Sequence, residues 1–391
     1  MKNQVRVLQV LIGGNTFTGV SSYLYQYYKF IDRNVVHFDF LFCRENSMKL
    51  VQDDPIFKDS SFYILNAKKN NSNDYKKIYK ELQKILEENR YDIVVVNTSI
   101  VTIQYVCLLA VRKKKGLLFI PHAHNTDLIL GKGAKRYKLR KLLSVVDTFG
   151  RAIIRKNSDY MFACTNDAAI KTFGYQSLKM DNLVLVRNAL EIDRFSFDEE
   201  ERKRIRKQLN IADDQVVYGN IGSFCKRKNQ AFLIKAFKIV HDQRPNTELW
   251  LIGDGNTRGE LTSMVKTYGL DRNVRFLGQR DDVNKLLLAM DCFVFTTLSE
   301  GLGIVAIEAQ AASLPTIISD GVPRDVMITD YCLQLPIEKQ PEGWAREMLK
   351  ITSESDRNIT TKDLVKAGYS IDVEAKRMTD FFSSIVANIH N

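Results

Sequence analysis

The chain reads as an α/β protein made of two doubly wound parallel-sheet domains. Three observations carry that expectation. Its 391 residues exceed what one ordinary core fills and suit two domains of roughly 150–200 residues. Short apolar runs, several of them continuous rather than alternating, recur between helical stretches, as parallel strands covered on both faces require. The same strand-and-helix grammar then restarts after the charged stretch Asp198–Lys207.

In chain order, Val5 to Ile12 predicts a buried strand, followed by the glycine-rich turn and amphipathic helix of GGNTFTGVSSYLYQYYKFI. Further strands are expected at His37–Phe42, Phe62–Leu65, Ile93–Val96, Leu117–Ile120, Met161–Cys164 and Leu183–Val186, with Asp74–Asn89 helical. The second set falls at Val216–Ile221, Glu248–Ile252, Val274–Leu277, Cys292–Thr296 and Thr316–Ile318. Ser370–Ile389 is expected to be the last helix, and the charged region Pro341–Tyr369 to lead to it along the edge of the second domain. The predicted domains are 1–190 and 191–369, with helix 370–391 packing back on the first. Ligands of such folds bind beyond the carboxyl ends of the strands, so the chemistry is expected in a cleft between the two domains.

Composition narrows the classes. An apolar fraction of 45% and a charged fraction of 26% suit a globular protein. No stretch approaches the roughly eighteen uncharged apolar residues of a membrane span. The start, MKNQVRVLQVLIGG, shows no signal-peptide cleavage pattern, and six scattered cysteines without a CxxC pair read as free core thiols of a reducing compartment. The expected location is cytoplasmic. A net charge of +11 calls for a polyanionic partner or surface. No nucleic-acid motif or basic-aromatic platform accompanies it, which leaves an anionic membrane face or a phosphorylated lipid. KGAKRYKLRK at 132–141 holds six cations and no acid. It reads either as a segment lying on anionic lipid or as a solvated helix, and RKKK at Arg112–Lys115 favours the first.

The most specific motif is SEGLGIVAIEAQAA, with Glu300 and Glu308 eight residues apart. Glu300 follows a predicted strand, Gly301 and Gly303 allow a ligand to approach closely, and Ile304 opens a helix. A helix start presents unpaired N–H groups and the positive dipole end, which suits a diphosphate. Glu308, about one turn inside, can accept bonds from ribose hydroxyls, and Glu300 can hold a sugar. Upstream, Gly222 ends a strand and Lys226, Arg227 and Lys228 precede a helix. Those cations either neutralise a leaving diphosphate or form a solvated charge run. Gly253 and Gly278 close two further strand–turn units, with Arg280 beside the second. In FIPHAHNTD, His122 and His124 stand just beyond a strand. Their spacing could chelate a metal, but no third ligand is evident nearby, and substrate contact by one histidine is the stronger reading. Asn125 and Asp127 belong to the same loop. Gly13, Gly14 and Gly19 form either a structural turn or a ligand loop; their spacing is not that of a dinucleotide fingerprint.

In that order, the chain resembles the family 4 retaining glycosyltransferases of the GT-B fold, whose domains are Rossmann-like, especially those building bacterial capsular or exopolysaccharides. Glu300 and Glu308 match the family's E-x7-E motif; GGNTFTGV, PHAHN, GSFCKRKNQ, LIGDGNTRGEL, FLGQRDDV and VRNALEIDRF look like its other motifs over essentially the full length. The resemblance implies transfer of a hexose or N-acetylhexosamine from a nucleotide sugar, usually a UDP-sugar, with retention and without an essential metal. The implied acceptor is a growing glycan on undecaprenyl diphosphate, with the enzyme peripheral on the inner face of the membrane. It implies that Glu308 holds the ribose, Glu300 the donor sugar and Lys228 the diphosphate. His124 stands near the reacting sugar, and Ile304 and Val305 contribute amides. One departure stands out: Ser223 occupies the place of the arginine many members carry after the glycine of the phosphate segment, and Lys226 or Arg227 is expected to compensate. Two other functions share these features. A UDP-sugar epimerase would act on the donor alone, and a catalytically weak sugar-nucleotide-binding subunit would assist a partner enzyme.

Overall fold

The computed structural model describes residues 4–12, 19–43, 54–65, 75–124, 148–353, 357 and 361–390. It divides into two compact units, Met1–Ala189 with Ile371–Asn391, and Leu190–Ser370.

The first unit is a seven-stranded parallel sheet of β1 (Val5–Leu11), β2 (Val36–Phe42), β3 (Phe62–Ile64), β4 (Ile93–Asn97), β5 (Leu118–Ala123), β6 (Met161–Ala163) and β7 (Leu183–Leu185) in the order β3-β2-β1-β4-β5-β6-β7. β4, IVVVN, is buried at every residue, which is why its apolar run is continuous rather than alternating. Helices α1 (Gly19–Phe30), α2 (Tyr75–Glu88), α3 (Val101–Val111) and α4 (Asn166–Phe173) connect the strands. In α2 the buried residues Ile78, Leu82, Ile85 and Leu86 recur at helical spacing, so one stripe faces the sheet and the charged remainder faces water. Thr165 caps α4 by accepting from the Ala168 N–H at 3.0 Å. The carboxyl-terminal helix Ile371–His390 also belongs to this unit; its Phe381 and Phe382 pack on Phe162.

The second unit has six parallel strands, β8 (Val216–Ile221), β9 (Thr247–Ile252), β10 (Val274–Gly278), β11 (Cys292–Phe295), β12 (Thr316–Ser319) and β13 (Cys332–Leu335). Their order is β10-β9-β8-β11-β12-β13, which reverses direction between β8 and β11. β13 is not among the strands expected from the sequence. Only its end residues are buried, so its four residues carry too little apolar signal to separate them from a loop.

Two charged stretches also prove to be structural. Asp198–Lys207 folds largely as α5 (Glu199–Gln208), capped by Asp198, with three glutamates in its first turn and Arg206 and Lys207 in its last. Arg202 and Arg206 are buried on Asp291, at 2.6 and 3.1 Å. Arg357 donates to carbonyls of Leu288, Met290 and Ala312 at 2.6, 3.0 and 2.6 Å, closing the ends of neighbouring helices. Within Pro341–Tyr369, Gln340–Met348 is a helix whose Trp344 is fully buried and donates to the Pro336 carbonyl at 3.1 Å. None of the six cysteines is in a disulfide; Cys43 and Cys225 are half-buried and the others buried. No helix among the described residues is long and apolar enough to cross a membrane.

Midway along β2, Asp39 is fully buried and satisfied by Arg6 at 2.6 Å, His37 at 3.0 Å, the Ser61 N–H at 2.7 Å and the Tyr91 hydroxyl at 2.9 Å. Burial by itself would raise this carboxyl, but the bonds from His37, Ser61 and Tyr91 outweigh it and lower it to about 2. Asp39→Ala is expected to destabilise the protein by about 2–3 kcal/mol in urea denaturation, since it orphans a buried hydroxyl and an amide. The stabilisation from the lowered value is present above the ordinary 3.8 and is lost as pH falls towards 2. The gap between wild type and variant should therefore close in acid.

Candidate active site

The strand order of the second unit reverses between β8 and β11, the place in such sheets where ligands bind beyond the carboxyl ends of the strands. The loops that follow these two strands carry Gly222–Asn229 and Thr296–Gly303. They are stitched together: the Leu298 N–H donates to the Arg227 carbonyl at 2.8 Å, and the Thr296 hydroxyl donates to the Asn229 carbonyl at 3.0 Å.

Glu300 lies at the centre. Its Oε1 accepts from Thr297 Oγ1 at 2.8 Å and pairs with Arg227 at 2.7 Å and Lys228 Nζ at 2.8 Å, while its backbone N–H donates to the Gly321 carbonyl at 2.8 Å. Lys228 also lies 4.6 Å from the centre of the Phe295 ring. Burial pulls its ammonium below the ordinary value, and the Glu300 charge opposes that change. Two cations sharing one carboxylate oxygen leave a net positive charge in a half-buried setting.

The glycines make the close approach possible. A Cβ on Gly253 (φ +130°) would stand 2.1 Å from the Gly222 carbonyl oxygen, and one on Gly321 would meet the Thr297 carbonyl at 2.5 Å. Gly222 lies against Lys228, and Gly303, at φ +83°, opens helix α6 (Ile304–Ala311) in the left-handed conformation. Gly301, Ile304 and Val305 are half-buried there; the Ala306 N–H donates to the Gly303 carbonyl at 2.9 Å, and the N–H groups of Ile304 and Val305 come before any carbonyl their own helix could offer. Glu308 stands on the second turn. Burial raises its carboxyl to about 7, with the Arg194 charge opposing.

Other residues singled out from the sequence are less engaged. Ser223 is exposed, 3.9 Å from the Cys225 thiol. Lys226 is exposed and Arg227, not Lys226, reaches Glu300. Arg280 lies two residues past β10 and is held by Asp282 at 2.8 and 2.6 Å.

In the first unit, His122 is not beyond a strand but within β5, fully buried, and both its ring nitrogens lack a partner among the described residues. His124 follows the strand and is 6% exposed, its ring centre 3.7 Å from that of His122. Burial, and secondarily His124, hold His122 well below the ordinary range, and burial lowers His124 to about 3, so both rings are neutral. Gly19 starts α1. Gly13, Gly14, Asn125, Asp127 and the basic stretch 132–141 lie outside the described residues. Among the described residues no group of three or more His, Cys, Asp or Glu is placed to hold a metal ion.

Thr297, Gly321, Asn97 and Gln9 were not found from the sequence. Asn97, the polar end of a buried apolar strand, carried the one available signal, because ligand groups gather at strand carboxyl ends.

With this geometry in place, residues 201–370 match the family model described as Glycosyl transferases group 1. The chain is a glycosyltransferase. Along its whole length it is 27% identical to EpsF of Bacillus subtilis (strain 168), itself assigned as a glycosyltransferase only by inference, and covers 99% of that protein. It is 22% identical to the Escherichia coli UDP-Gal:alpha-D-GlcNAc-diphosphoundecaprenol alpha-1,3-galactosyltransferase, over 78% of this chain and 79% of that one. The structure of Anabaena Alr3699/HepE in complex with UDP and glucose shares its fold, with a TM-score of 0.66 and 16% identity, covering 99% of this chain and 97% of that one. The two Rossmann-like units of the glycosyltransferase are those of the GT-B class.

Because the Glu308 carboxyl is raised from 4.5 to about 7, the folded enzyme binds this proton more tightly than the unfolded chain. The associated stability is present below pH 4.5 and is lost as pH rises through 7. Glu308→Gln should therefore stabilise the enzyme at pH 8, by at most about 3 kcal/mol and less for a group in partial contact with water. The difference should shrink at pH 5 in paired thermal melts.

Proposed function

We propose that the enzyme moves a hexose or N-acetylhexosamine from a UDP-sugar, with retention at the anomeric carbon, to a growing surface glycan carried on undecaprenyl diphosphate. The observation that carries this reading is the junction of Arg227, Lys228 and Glu300 beside the amino end of α6. It combines two cations with the Ile304 and Val305 amides at a helix start, a setting for a diphosphate leaving group. UDP and glucose in the HepE structure support the donor class, and the name of the E. coli relative supports a lipid diphosphate acceptor.

In this reading the second unit binds the donor. Gly222, Ser223, Gly253, Gly301 and Gly303 admit it closely, and Lys226 and Arg280 line the rim. Glu308 accepts from the ribose hydroxyls and Glu300 holds the donor sugar. Lys228, Arg227 and the amides of Ile304 and Val305 take up charge as the diphosphate leaves. The acceptor hydroxyl approaches the face from which the diphosphate departs, and a donor phosphate oxygen assists its deprotonation. Glu300 is a ligand of sugar hydroxyls, not a covalent nucleophile; its carboxylate is already committed to two cations. The first unit serves the acceptor through Gly13, Gly14, Gly19 and Asn125, with His124 contacting substrate and His122, wholly buried within β5, packed behind it. The enzyme works in the cytoplasm on the inner face of the membrane, where the segment 132–141 meets anionic lipid, and it needs no metal.

Transfer is tested by presenting a panel of nucleotide sugars with a membrane lipid extract. The expected result is incorporation into lipid from one UDP-sugar, abolished by Glu308→Ala, with the product's anomeric configuration unchanged by NMR. Isomerised free sugar, or tight binding without incorporation when pathway enzymes supply the acceptor, would overturn the assignment. Lys228→Ala should lower kcat by about 100-fold or more, and Arg227→Ala by roughly 10-fold. Lys226→Ala should stay within about twofold, since an exposed unpaired charge contributes little.

Glu308 yields a further expectation. With its carboxyl near 7 in the free enzyme, a ribose that donates to it favours the carboxylate. UDP binding at pH 7 should release about half a proton, measured by calorimetry in buffers of different ionisation enthalpy, and Glu308→Gln should remove the release.

A further inference from the structure

At the carboxyl ends of β1, β4 and β5 three buried polar side chains stand in line. Asn97 Nδ2 donates to Gln9 Oε1 at 2.9 Å, and Asn97 Oδ1 lies 2.9 Å from His124 Nε2. Gln9 is 3% exposed and Asn97 5%. The β4–β5 register places Asn97 opposite His122, and β1 runs along the other side of β4. On the far side of the imidazole, Nδ1 is buried and meets no partner among the described residues. The Tyr23 ring packs 5.2 Å from each histidine.

An amide in such a line has two consistent orientations. With Oδ1 towards the ring, as here, His124 carries its proton on Nε2 and Nδ1 holds a free lone pair. With the amide reversed, the proton sits on Nδ1 and a buried N–H donor is left bare. The ionisable groups around the ring are His122, Tyr23 and Cys164, whose thiol donates to the His124 carbonyl; behind Tyr23 lie Glu374 and Arg377. Burial holds both His122 and Tyr23 in their neutral forms. With His124 also neutral, its tautomer rather than its charge is what the neighbours control.

We infer that Asn97, itself oriented by Gln9, is a positioning residue that sets the tautomer of His124, so that Nδ1 offers an acceptor to a substrate hydroxyl. The inference rests on the assignment of His124 to substrate contact made above. Asn97 reaches no substrate itself. Its contribution is to choose which nitrogen can accept.

The test combines long-range 15N spectra of His124 with the transfer assay, in wild type, Asn97→Leu and Asn97→Asp. Wild type should show an unprotonated Nδ1. Asn97→Leu, which frees the tautomer, should lower kcat by roughly 3- to 30-fold. Asn97→Asp can only accept, so it keeps the proton on Nε2 and raises the ring's basicity. It should gain an acid limb in its pH–rate profile, absent from wild type and from Asn97→Leu, as the imidazolium puts a proton on Nδ1. A protonated Nδ1 in the wild-type spectrum overturns the inference, and so does Asn97→Asp inactive at every pH while folded. Should Asn97→Leu fail to fold, the spectra and the Asn97→Asp profile decide. His124→Ala at full activity would remove the substrate role of His124, whereas an inactive His124→Ala beside a fully active Asn97→Leu would remove only the role of Asn97.

Discussion

The charge balance at Glu300 joins the loops that follow β8 and β11 in the second unit. One carboxylate oxygen holds Arg227, Lys228 and the Thr297 hydroxyl, so two loops from neighbouring strands share a single anchor. Without a ligand the carboxylate keeps two cations close together in a half-buried place, where their mutual repulsion would otherwise be costly. The three groups together carry one positive charge, and the first turn of α6 adds the amides of Ile304 and Val305. An anion that arrives there completes the balance and does not have to displace a fully satisfied network.

That anchor depends on topology. β8 and β11 pair directly, with Cys292 opposite Tyr218 and Phe293 opposite Gly219, and it is there that the strand order turns back. The glycines then set the spacing: Gly253 packs against the Gly222 carbonyl and Gly321 against that of Thr297, distances that no side chain fits. Buried ion pairs elsewhere, Arg202 and Arg206 on Asp291, hold α5 to the base of the sheet far along the strands from these loops. Similar residues thus serve either structure or chemistry according to which end of the strands they occupy.

The first unit uses the same reversal, between β1 and β4, for a different electrostatic purpose. Its strand ends gather neutral groups, Gln9, Asn97, His122 and His124. Burial makes charge on these imidazoles expensive, so hydrogen-bond direction carries the information there.

The sequence by itself determined the two-sheet α/β architecture and most strand positions, because apolar runs such as IVVVN and VVYGNI are continuous only where both faces are covered. It also determined which loops carry glycines, cations and carboxylates, since Glu300, Glu308 and Lys228 are marked by spacing and by their place after strands. β13 escaped because four residues with two buried ends resemble a loop. The helix 199–208 read as a charged break because burial of Arg202 and Arg206 depends on a partner, Asp291, more than eighty residues away. Only the tertiary structure decided that Arg227 rather than Lys226 faces Glu300, that His122 is buried in its strand, and that Asn97 meets His124. Each of these is a matter of where a side chain lands after distant strands pair, and neither local periodicity nor residue type encodes that direction.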